Sequence, residues 1–408
     1  MNEAIKERID KAVDALTPEL RELALKIHEN PELGNQEFKA LQWQTELLEK
    51  YGFKVEKGYL GIPTSYRAVY TGKKPGPRIG LLAEYDALPV LGHACGHNLI
   101  CTMSVGGGIA MREFADEFGA EIVVIGTPAE ETAGAKVKMS KLHGFDDLDV
   151  AMMSHPASID TDTLNTSAIK CFQVEFFGRT AHAASSPQEG INALDAMINL
   201  FVAVGLLRQQ TKPDARIHGI ITNGGEAPNV IPEYTRALFY TRATKFSYAV
   251  ELAEKIYAAA RGAAEATGCT VKIEDAEEDF MDTCSNQCLA TIVADHLQDD
   301  WGHNVSRLHG TPIPGSSDLG NVSYCCPAVQ LTTGLSAPGV EENYAPHTRE
   351  FAERTGSEQA IINCMDFVKA FAATGYDLMT KPELLEEIKE EFKHVNEPKQ
   401  IGAVKLPW

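Results

Sequence analysis

The pattern of strands and helices changes twice along this chain of 408 residues. Residues 1–167 alternate short apolar runs such as RIGLLA and EIVVIG with helices, one of them predicted at Val105–Phe118, as in parallel α/β sheets. Residues 168–280 instead fit four strands and two helices, and the α/β pattern returns in 281–408. We interpret this as one discontinuous domain, 1–167 plus 281–408, interrupted by a second domain at 168–280.

Composition excludes several classes of partner. The net charge of −20 repels phosphate backbones and anionic membranes, so we expect no nucleic acid and no membrane as partners. The charged amphipathic segment at residues 1–16 has no apolar signal core, and no later stretch reaches the roughly 18 apolar residues of a membrane span. Nine cysteines, with Cys325 and Cys326 adjacent, favour reduced thiols. These features predict a cytoplasmic protein that acts on small molecules.

Polar side chains collect where three predicted strands end, and strand ends are where open α/β sheets bind ligands. The side chains are Asp86, Cys95, His97, Glu130, Glu131 and His155. Each cluster alone has an ordinary explanation, such as a buried thiol or glutamates that face a helix dipole. Their succession at three strand ends favours a functional site.

The residue types in these clusters suit a metal ion. Thiolate, imidazole and carboxylate bind zinc, and the spacing of Cys95 and His97 across one glycine lets both reach one place. Glu130 and Glu131 supply more carboxylates than one tetrahedral ion needs beside those ligands. One glutamate is therefore available as the base that takes a proton from an acidified water.

Six segments resemble, in order and spacing, the aminoacylase/carboxypeptidase family of co-catalytic metallopeptidases, and above all its aminobenzoyl-glutamate hydrolase and amidohydrolase subgroup. They are EYDALPVLGHACGHN, GTPAEE, MMSHP, FFGRTAHAASSPQEGINALDA, GGEAPNVIPE and APHTREFA. The resemblance implies an α/β fold with a mixed, mostly parallel sheet flanked by helices, as in zinc exopeptidases. It also implies that the insertion is an α+β sandwich that serves as lid and dimerisation domain.

The resemblance implies a role for each polar cluster. Cys95 would bridge two divalent ions, zinc or alternatively manganese, and Glu130 would be the general base. Asp86 would orient a ligand imidazole. The remaining ligands would be His97, Glu131, His155 and His347. Glu84 stands where other branches carry a ligand histidine, which leaves the coordination at that position open.

Three residues of the insertion gain roles only through the resemblance. His182 would reach into the active site of the partner in a homodimer and polarise the scissile carbonyl, while Asn229 and Arg242 would hold the substrate carboxylate. The predicted helix at 190–208 is apolar almost all round, which either core burial or a lid-to-lid homodimer explains.

The resulting prediction is hydrolysis of one amide bond in a small substrate with a free carboxylate. Aminobenzoyl-glutamate, dipeptides and N-acyl amino acids all qualify, and the sequence does not choose among them. One alternative is a thiol amidase with Cys95 as nucleophile and His97 as base, which leaves the glutamates and distant histidines without a role. Another is a catalytically silent binding protein, which would be expected to have lost a ligand or the base.

Overall fold

The structure is a computed structural model that describes residues 1–313, 315–337, 340 and 342–396. These residues divide into two compact units. The first comprises Met1–Asn165, Thr283–Ile313 and the described residues from Asp318 onward. The second comprises Thr166–Asp282 together with residues 315–317.

The bounds of the regular elements follow in chain order. The strands are β1 Lys54–Lys57, β2 Tyr66–Thr71, β3 Arg78–Ala83, β4 Glu121–Gly126, β5 Val150–Ala157, β6 Asn165–Thr166, β7 Ala168–Phe177, β8 Arg216–Asn223, β9 Tyr234–Ala243, β10 Thr270–Asp275, β11 Pro312–Ile313 and β12 Ala328–Gly334. The helices are α1 Glu3–Glu29, α2 Phe38–Lys50, α3 His97–Phe118, α4 Ala135–Lys141, α5 Ala193–Leu207, α6 Phe246–Thr267, α7 Gln287–Asp295, α8 Leu319–Val322, α9 Arg349–Thr355, α10 Glu358–Thr380 and α11 Pro382–Asn396.

The first unit is built on a mixed sheet whose described strands run in the order β1-β2-β4-β3-β5-β12. Strand β3 is parallel to β4 and β5, and β12 is parallel to β5, whereas β2 is antiparallel to both β1 and β4. Strands β3, β4 and β5 are almost completely buried, as expected for parallel strands covered by helices on both faces. The prediction of a mostly parallel sheet flanked by helices is confirmed.

Helix α3 crosses the centre of this unit and packs along the sheet. It begins at His97, whereas the sequence pattern predicts a start at Val105. The difference arises because residues 97–111 are all buried, so this half of the helix lacks the one-sided apolar periodicity that marks a surface helix. Gly106 lies against Leu20 of α1 and Val368 of α10, where a side chain would not fit.

The second unit is an antiparallel sheet in the order β10-β7-β9-β8, covered by α5 and α6. Its core contains the facing pair Phe172 and Phe239, whose rings stack 5.6 Å apart between centroids. Apolar side chains of both helices pack against this face, which confirms the predicted α+β sandwich.

Helix α5 buries only one of its apolar faces. Ala196, Met197 and Leu200 lie in the core, but the outward stripe of Ile198, Val202 and Leu206 is 49%, 57% and 71% exposed. Strand β8, which ends the described sheet on one side, also exposes most of its residues. An apolar helix face beside a sheet edge of this kind is typical of a protein interface.

Within the described residues, no helix is both long enough and apolar enough to cross a lipid bilayer.

Candidate metal centre

The first unit gathers ligand-type side chains from four separate segments at one edge of its sheet. Among the described residues, three overlapping groups place one possible ligand atom of each member within 4.8 Å of the others. The groups are Cys95–His97–His155, Cys95–Glu131–His347 and His97–Glu130–Glu131. The loops after β3 and β4 and the carboxyl end of β5 supply all of them except His347, as expected for a strand-end site.

Gly96 determines how Cys95 and His97 are presented. Its φ of 79° lies in the left-handed region, and an added Cβ would come within 2.7 Å of Pro156 Cγ. Only glycine therefore lets the loop turn into α3 against the end of β5. The turn brings Cys95 Sγ to 3.4 Å from His155 Nε2.

His347 reaches the cluster from the last third of the chain. Its backbone adopts a φ of 63° and its N–H donates to Ala94 O at 2.9 Å, which ties this segment to the loop of Cys95. Thr348 then caps α9 by accepting a hydrogen bond from Phe351 N. The imidazole lies with Nε2 3.2 Å from Glu131 Oε1 and remains half exposed.

Asp86 contacts both the histidine and the glutamate side of the cluster. Its Oδ1 lies 2.9 Å from His97 Nδ1, and its Oδ2 accepts a hydrogen bond from Glu131 N at 3.0 Å. A carboxylate at one ring nitrogen leaves the other nitrogen as the lone-pair donor that metal ions require. His97 Nε2 accordingly points into the cluster, where it has no hydrogen-bond partner.

The loop that carries the two glutamates is held by a residue that the sequence analysis did not single out. Ala129 has a φ of 58°, which is costly for a residue with a Cβ. Its N–H donates to Glu37 Oε1 at 2.8 Å, and Glu37 is fully buried. Burial raises the pKa of Glu37 to about 7. Glu37 is therefore a positioning residue for the turn into Glu130 and Glu131.

A buried group of charges adjoins the cluster. Lys136 Nζ lies 2.6 Å from both Glu84 Oε1 and Asp318 Oδ1, and all three side chains are inaccessible to solvent. Burial opposes the charged form of Glu84, but Lys136 and His97 hold its pKa below the usual value. One lysine shared by two carboxylates leaves this group net negative.

The electrostatics of the cluster suit a cation. Burial raises the pKa of Glu130 well above its usual value, and the charges of Glu84 and Asp318 add to the effect. Burial lowers the pKa of His155, which favours the neutral imidazole that ligates metals. Burial likewise raises the pKa of the Cys95 thiol. In the absence of a positive ion the thiol is therefore protonated.

Unsatisfied buried atoms test whether a metal ion fits. Glu84 Oε2, His97 Nε2 and Glu131 Oε1 are buried without hydrogen-bond partners. Such atoms are costly unless something compensates them, and a divalent cation accepts electron pairs from all three. Thiol, imidazole and carboxylate donors are also the chemical types that zinc prefers. The residues present therefore fit a metal ion.

The three predicted residues of the insertion lie in the second unit. His182 is exposed, and its Nδ1 accepts hydrogen bonds from Ala184 N and Ser185 N, both at 3.2 Å. Asn229 lies beside it, because its carbonyl accepts a hydrogen bond from Ala183 N. Arg242 lies on β9 and donates from Nη1 to Ser316 Oγ at 2.8 Å.

The fold and the clustered side chains define a hydrolase of the peptidase and amidohydrolase class. The chain belongs to peptidase family M20/M25/M40, whose family model matches residues 80–374. The resemblance predicted from the sequence motifs is thereby confirmed.

Relatives of known name match almost the full chain. An Xaa-Arg dipeptidase of Mus musculus is 35% identical, over 96% of this chain and 93% of the relative. One of the polypeptides of the p-aminobenzoyl-glutamate hydrolase of Escherichia coli is 32% identical, over 95% of both chains.

Solved structures of the same fold are more distant in sequence. An aminobenzoyl-glutamate utilization protein from Klebsiella pneumoniae superposes with a TM-score of 0.69 at 17% identity, over 90% of this chain and 98% of that one. A dinuclear metal binding peptidase of the M20 family from Bacillus subtilis gives a TM-score of 0.67 at 18% identity, over 90% and 99%.

Proposed function

We propose that this chain is a metal-dependent hydrolase that cleaves one amide bond in a small substrate bearing a free carboxylate. The observation that carries the proposal is the convergence of thiol, imidazole and carboxylate side chains from four segments at one sheet edge. Two divalent ions would be held by Cys95, His97, Glu131, His155 and His347. Bound there, they would supply an acidified water and a Lewis acid for the carbonyl oxygen.

Glu130 is the general base in this proposal. Burial and neighbouring carboxylates raise the pKa of Glu130, so the side chain holds a proton readily once it has accepted one. It can therefore take a proton from the attacking water and return it to the departing amine. Asp86 orients the His97 imidazole from behind and takes no part in proton transfer.

The thiol amidase is the weaker alternative. A nucleophilic cysteine needs a lowered pKa, and burial raises the pKa of Cys95. His97, the base in that scheme, instead contacts Asp86 through Nδ1 and faces Glu84 through Nε2. A catalytically silent binding protein is disfavoured because every proposed ligand and the base are present.

The names of the relatives support a choice among substrates. A dipeptidase and an aminobenzoyl-glutamate hydrolase both release an amino acid with a free carboxylate from an amide. We propose dipeptides and aminobenzoyl-glutamate as the first candidates and N-acyl amino acids as the next. A thiolate among the ligands favours zinc, while the carboxylates tolerate manganese.

The second unit is proposed as a lid through which two copies of the chain form a homodimer. His182 Nδ1 accepts backbone hydrogen bonds, so in the neutral ring the proton is on Nε2, which is free to donate. This supports the proposal that His182 polarises the scissile carbonyl in the active site of the partner subunit. Asn229 and Arg242 would bind the substrate carboxylate there.

The exposed apolar stripe of α5 and the edge strand β8 support this dimer. Val202→Asp places a charge in the centre of the stripe and is expected to shift the protein from dimer to monomer in sedimentation velocity. Ile362→Asp is a matched control, since Ile362 is 50% exposed on α10 in the first unit. A Val202→Asp protein that stays dimeric would show that α5 is not the interface.

The substrate proposal is tested by a hydrolysis panel on the purified protein. Dipeptides with basic, acidic and neutral carboxyl-terminal residues, aminobenzoyl-glutamate, and N-acetyl and aryl-acyl amino acids are compared, each beside the same compound with its carboxylate amidated. We expect hydrolysis of free-carboxylate substrates and a loss of at least about 10²-fold on amidation, as expected when a buried charge partner is left unpaired. Equal rates for acid and amide would contradict the proposed substrate class.

A further inference from the structure

Glu84 follows directly after strand β3 and is held by an unusual pair of partners. Its Oε1 accepts a hydrogen bond from Lys136 Nζ at 2.6 Å, and Lys136 Nζ also donates to Asp318 Oδ1 at 2.6 Å. The backbone N–H of Lys136 donates to Asp318 Oδ2 at 3.1 Å. All three side chains are buried, so the orientation of Glu84 is fixed.

The other oxygen of Glu84 has no such partner. Oε2 is buried without a hydrogen bond and lies 3.4 Å from His97 Nε2, which also lacks one. His97 Nδ1 faces the Asp86 carboxylate, so the ring proton belongs on Nδ1 and a lone pair occupies Nε2. A lone pair that faces a carboxylate oxygen at this distance is repelled unless a cation lies between them.

The distance between these two atoms is the one that a metal ion requires. Two ligand atoms bound at about 2.1 Å to one tetrahedral ion lie about 3.4 Å apart. The pairs assigned to the metal site have nearly the same spacing: 3.4 Å for Cys95 Sγ and His155 Nε2, and 3.2 Å for Glu131 Oε1 and His347 Nε2. Glu84 and His97 therefore have the spacing of a ligand pair.

The charges around Glu84 agree with this geometry. Lys136 is shared between two carboxylates, so it neutralises only one negative charge. A second buried negative charge without compensation is expensive, and a divalent ion at Glu84 Oε2 would supply the compensation. Lys136 and Asp318 would then hold Glu84 in place for the ion.

We infer that Glu84 is a further metal ligand, binding through Oε2 the same ion as His97, with Lys136 and Asp318 as positioning residues. This inference rests on the proposed function, because it adds a sixth ligand to the five assigned there. It also gives a role to the position where the sequence left coordination open.

The test measures metal binding in the full-length protein. Wild type and Glu84→Gln are stripped with a chelator, equilibrated with buffered free Zn²⁺ over a range of concentrations, and analysed by inductively coupled plasma mass spectrometry. Gln keeps the size of Glu84 but loses its negative charge. We expect two ions per chain in wild type, and in Glu84→Gln a loss of about 10- to 100-fold or more in affinity for one of the two.

Two further variants separate ligation from a structural role. Asp318→Asn contacts Lys136 as Glu84 does but does not face His97, and it should retain both ions at nearly wild-type affinity. Glu84→His offers a neutral ligand at the same position and should restore the second ion. If Lys136 merely needs a polar partner at this position, histidine would bind no more metal than glutamine does.

The outcomes distinguish this inference from the function on which it rests. Wild type that binds no metal would overturn the proposed function itself. Two ions in wild type and two in Glu84→Gln, with unchanged affinities, would overturn only the role of Glu84. Circular dichroism checks folding; if Glu84→Gln does not fold, Glu84→Asp withdraws the carboxylate by one methylene, keeps its charge, and replaces it with the same expected loss.

Discussion

Asp86 Oδ1 lies 2.9 Å from His97 Nδ1, with both side chains fully buried. The contact fixes the imidazole ring and directs His97 Nε2 into the cluster of ligand-type atoms. Because the second oxygen of Asp86 accepts a hydrogen bond from Glu131 N, the same carboxylate also sets the loop of the two glutamates. One side chain thereby aligns groups from the ends of two strands.

Asp86→Asn should weaken metal binding without removing any proposed ligand. The amide keeps the shape but loses the charge that makes His97 a good ligand, so the affinity for metal should fall about 10- to 100-fold. Competition with a chromophoric chelator measures the change. Asp299→Asn, on an exposed residue, is the control, and equal affinities in the two variants would show that Asp86 does not act on the metal site.

Glu130→Gln should separate catalysis from metal binding. The variant keeps the shape of the side chain but cannot accept a proton, so turnover should fall by about 10²- to 10⁴-fold while both ions remain. The adjacent Glu131→Gln should instead lose metal. Steady-state rates and metal content of the two variants settle the assignment; a Glu130→Gln enzyme near the wild-type rate would mean that the base is another residue.

Fold class could be predicted from the sequence because its signals are local. The buried runs of β3, β4 and β5 and the change of pattern at the insertion indicate an α/β sheet with an α+β insertion. The antiparallel strands β1 and β2 are short and partly exposed, and no sequence pattern distinguishes them. The start of α3 is not predictable in the same way, because a helix buried on all sides has no amphipathic period.

The candidate site was only partly accessible to sequence reasoning. Cys95 and His97 are two residues apart and form a recognisable motif, but Lys136 gives no such signal, since a lysine near the start of a helix is ordinarily solvated. Its partner Asp318 is 182 residues away along the chain. Such a buried charge group follows from tertiary packing. The nearest available hint was the glutamate at position 84, where a histidine is expected.

His182→Ala should lower turnover by about 10²-fold with metal content unchanged, in the range of losing one oxyanion donor. If His182 acts across the dimer, mixing this inactive variant with inactive Glu130→Gln should restore activity. The heterodimer contains one active site in which both residues are wild type, because they come from different chains. Rates are followed as the subunits exchange.

Native mass spectrometry confirms that heterodimers have formed in such a mixture. Activity that stays at the level of either parent, in a sample rich in heterodimer, would mean that His182 acts within its own subunit or has no catalytic role. Mixing each variant with itself controls for recovery during refolding.

The pH dependence of stability should carry a contribution from His303, which is remote from the metal ligands in sequence. Burial opposes its protonation, but hydrogen bonds to Asp160 and Asp366 raise the pKa of His303 to about 9. A raised pKa stabilises the fold fully below the unfolded value of about 6.5, and this is lost as pH rises through about 9. The loss is at most about 3 kcal/mol.

Urea unfolding of His303→Gln at a series of pH values measures this contribution. The variant should lose more stability at pH 6 than at pH 9.5, so its profile should be flatter than that of wild type across this window. His309→Gln serves as the control, because His309 is exposed and lies 3.8 Å from Asp162. Parallel profiles for wild type and His303→Gln would contradict the assignment.

The most direct test of the central claim is a metal titration of the stripped enzyme during hydrolysis of its best panel substrate. Protein shown by mass spectrometry to be metal-free should be inactive, and added zinc or manganese should restore activity that saturates at two ions per chain. Full activity in verified metal-free protein would contradict the account and favour the Cys95 thiol amidase.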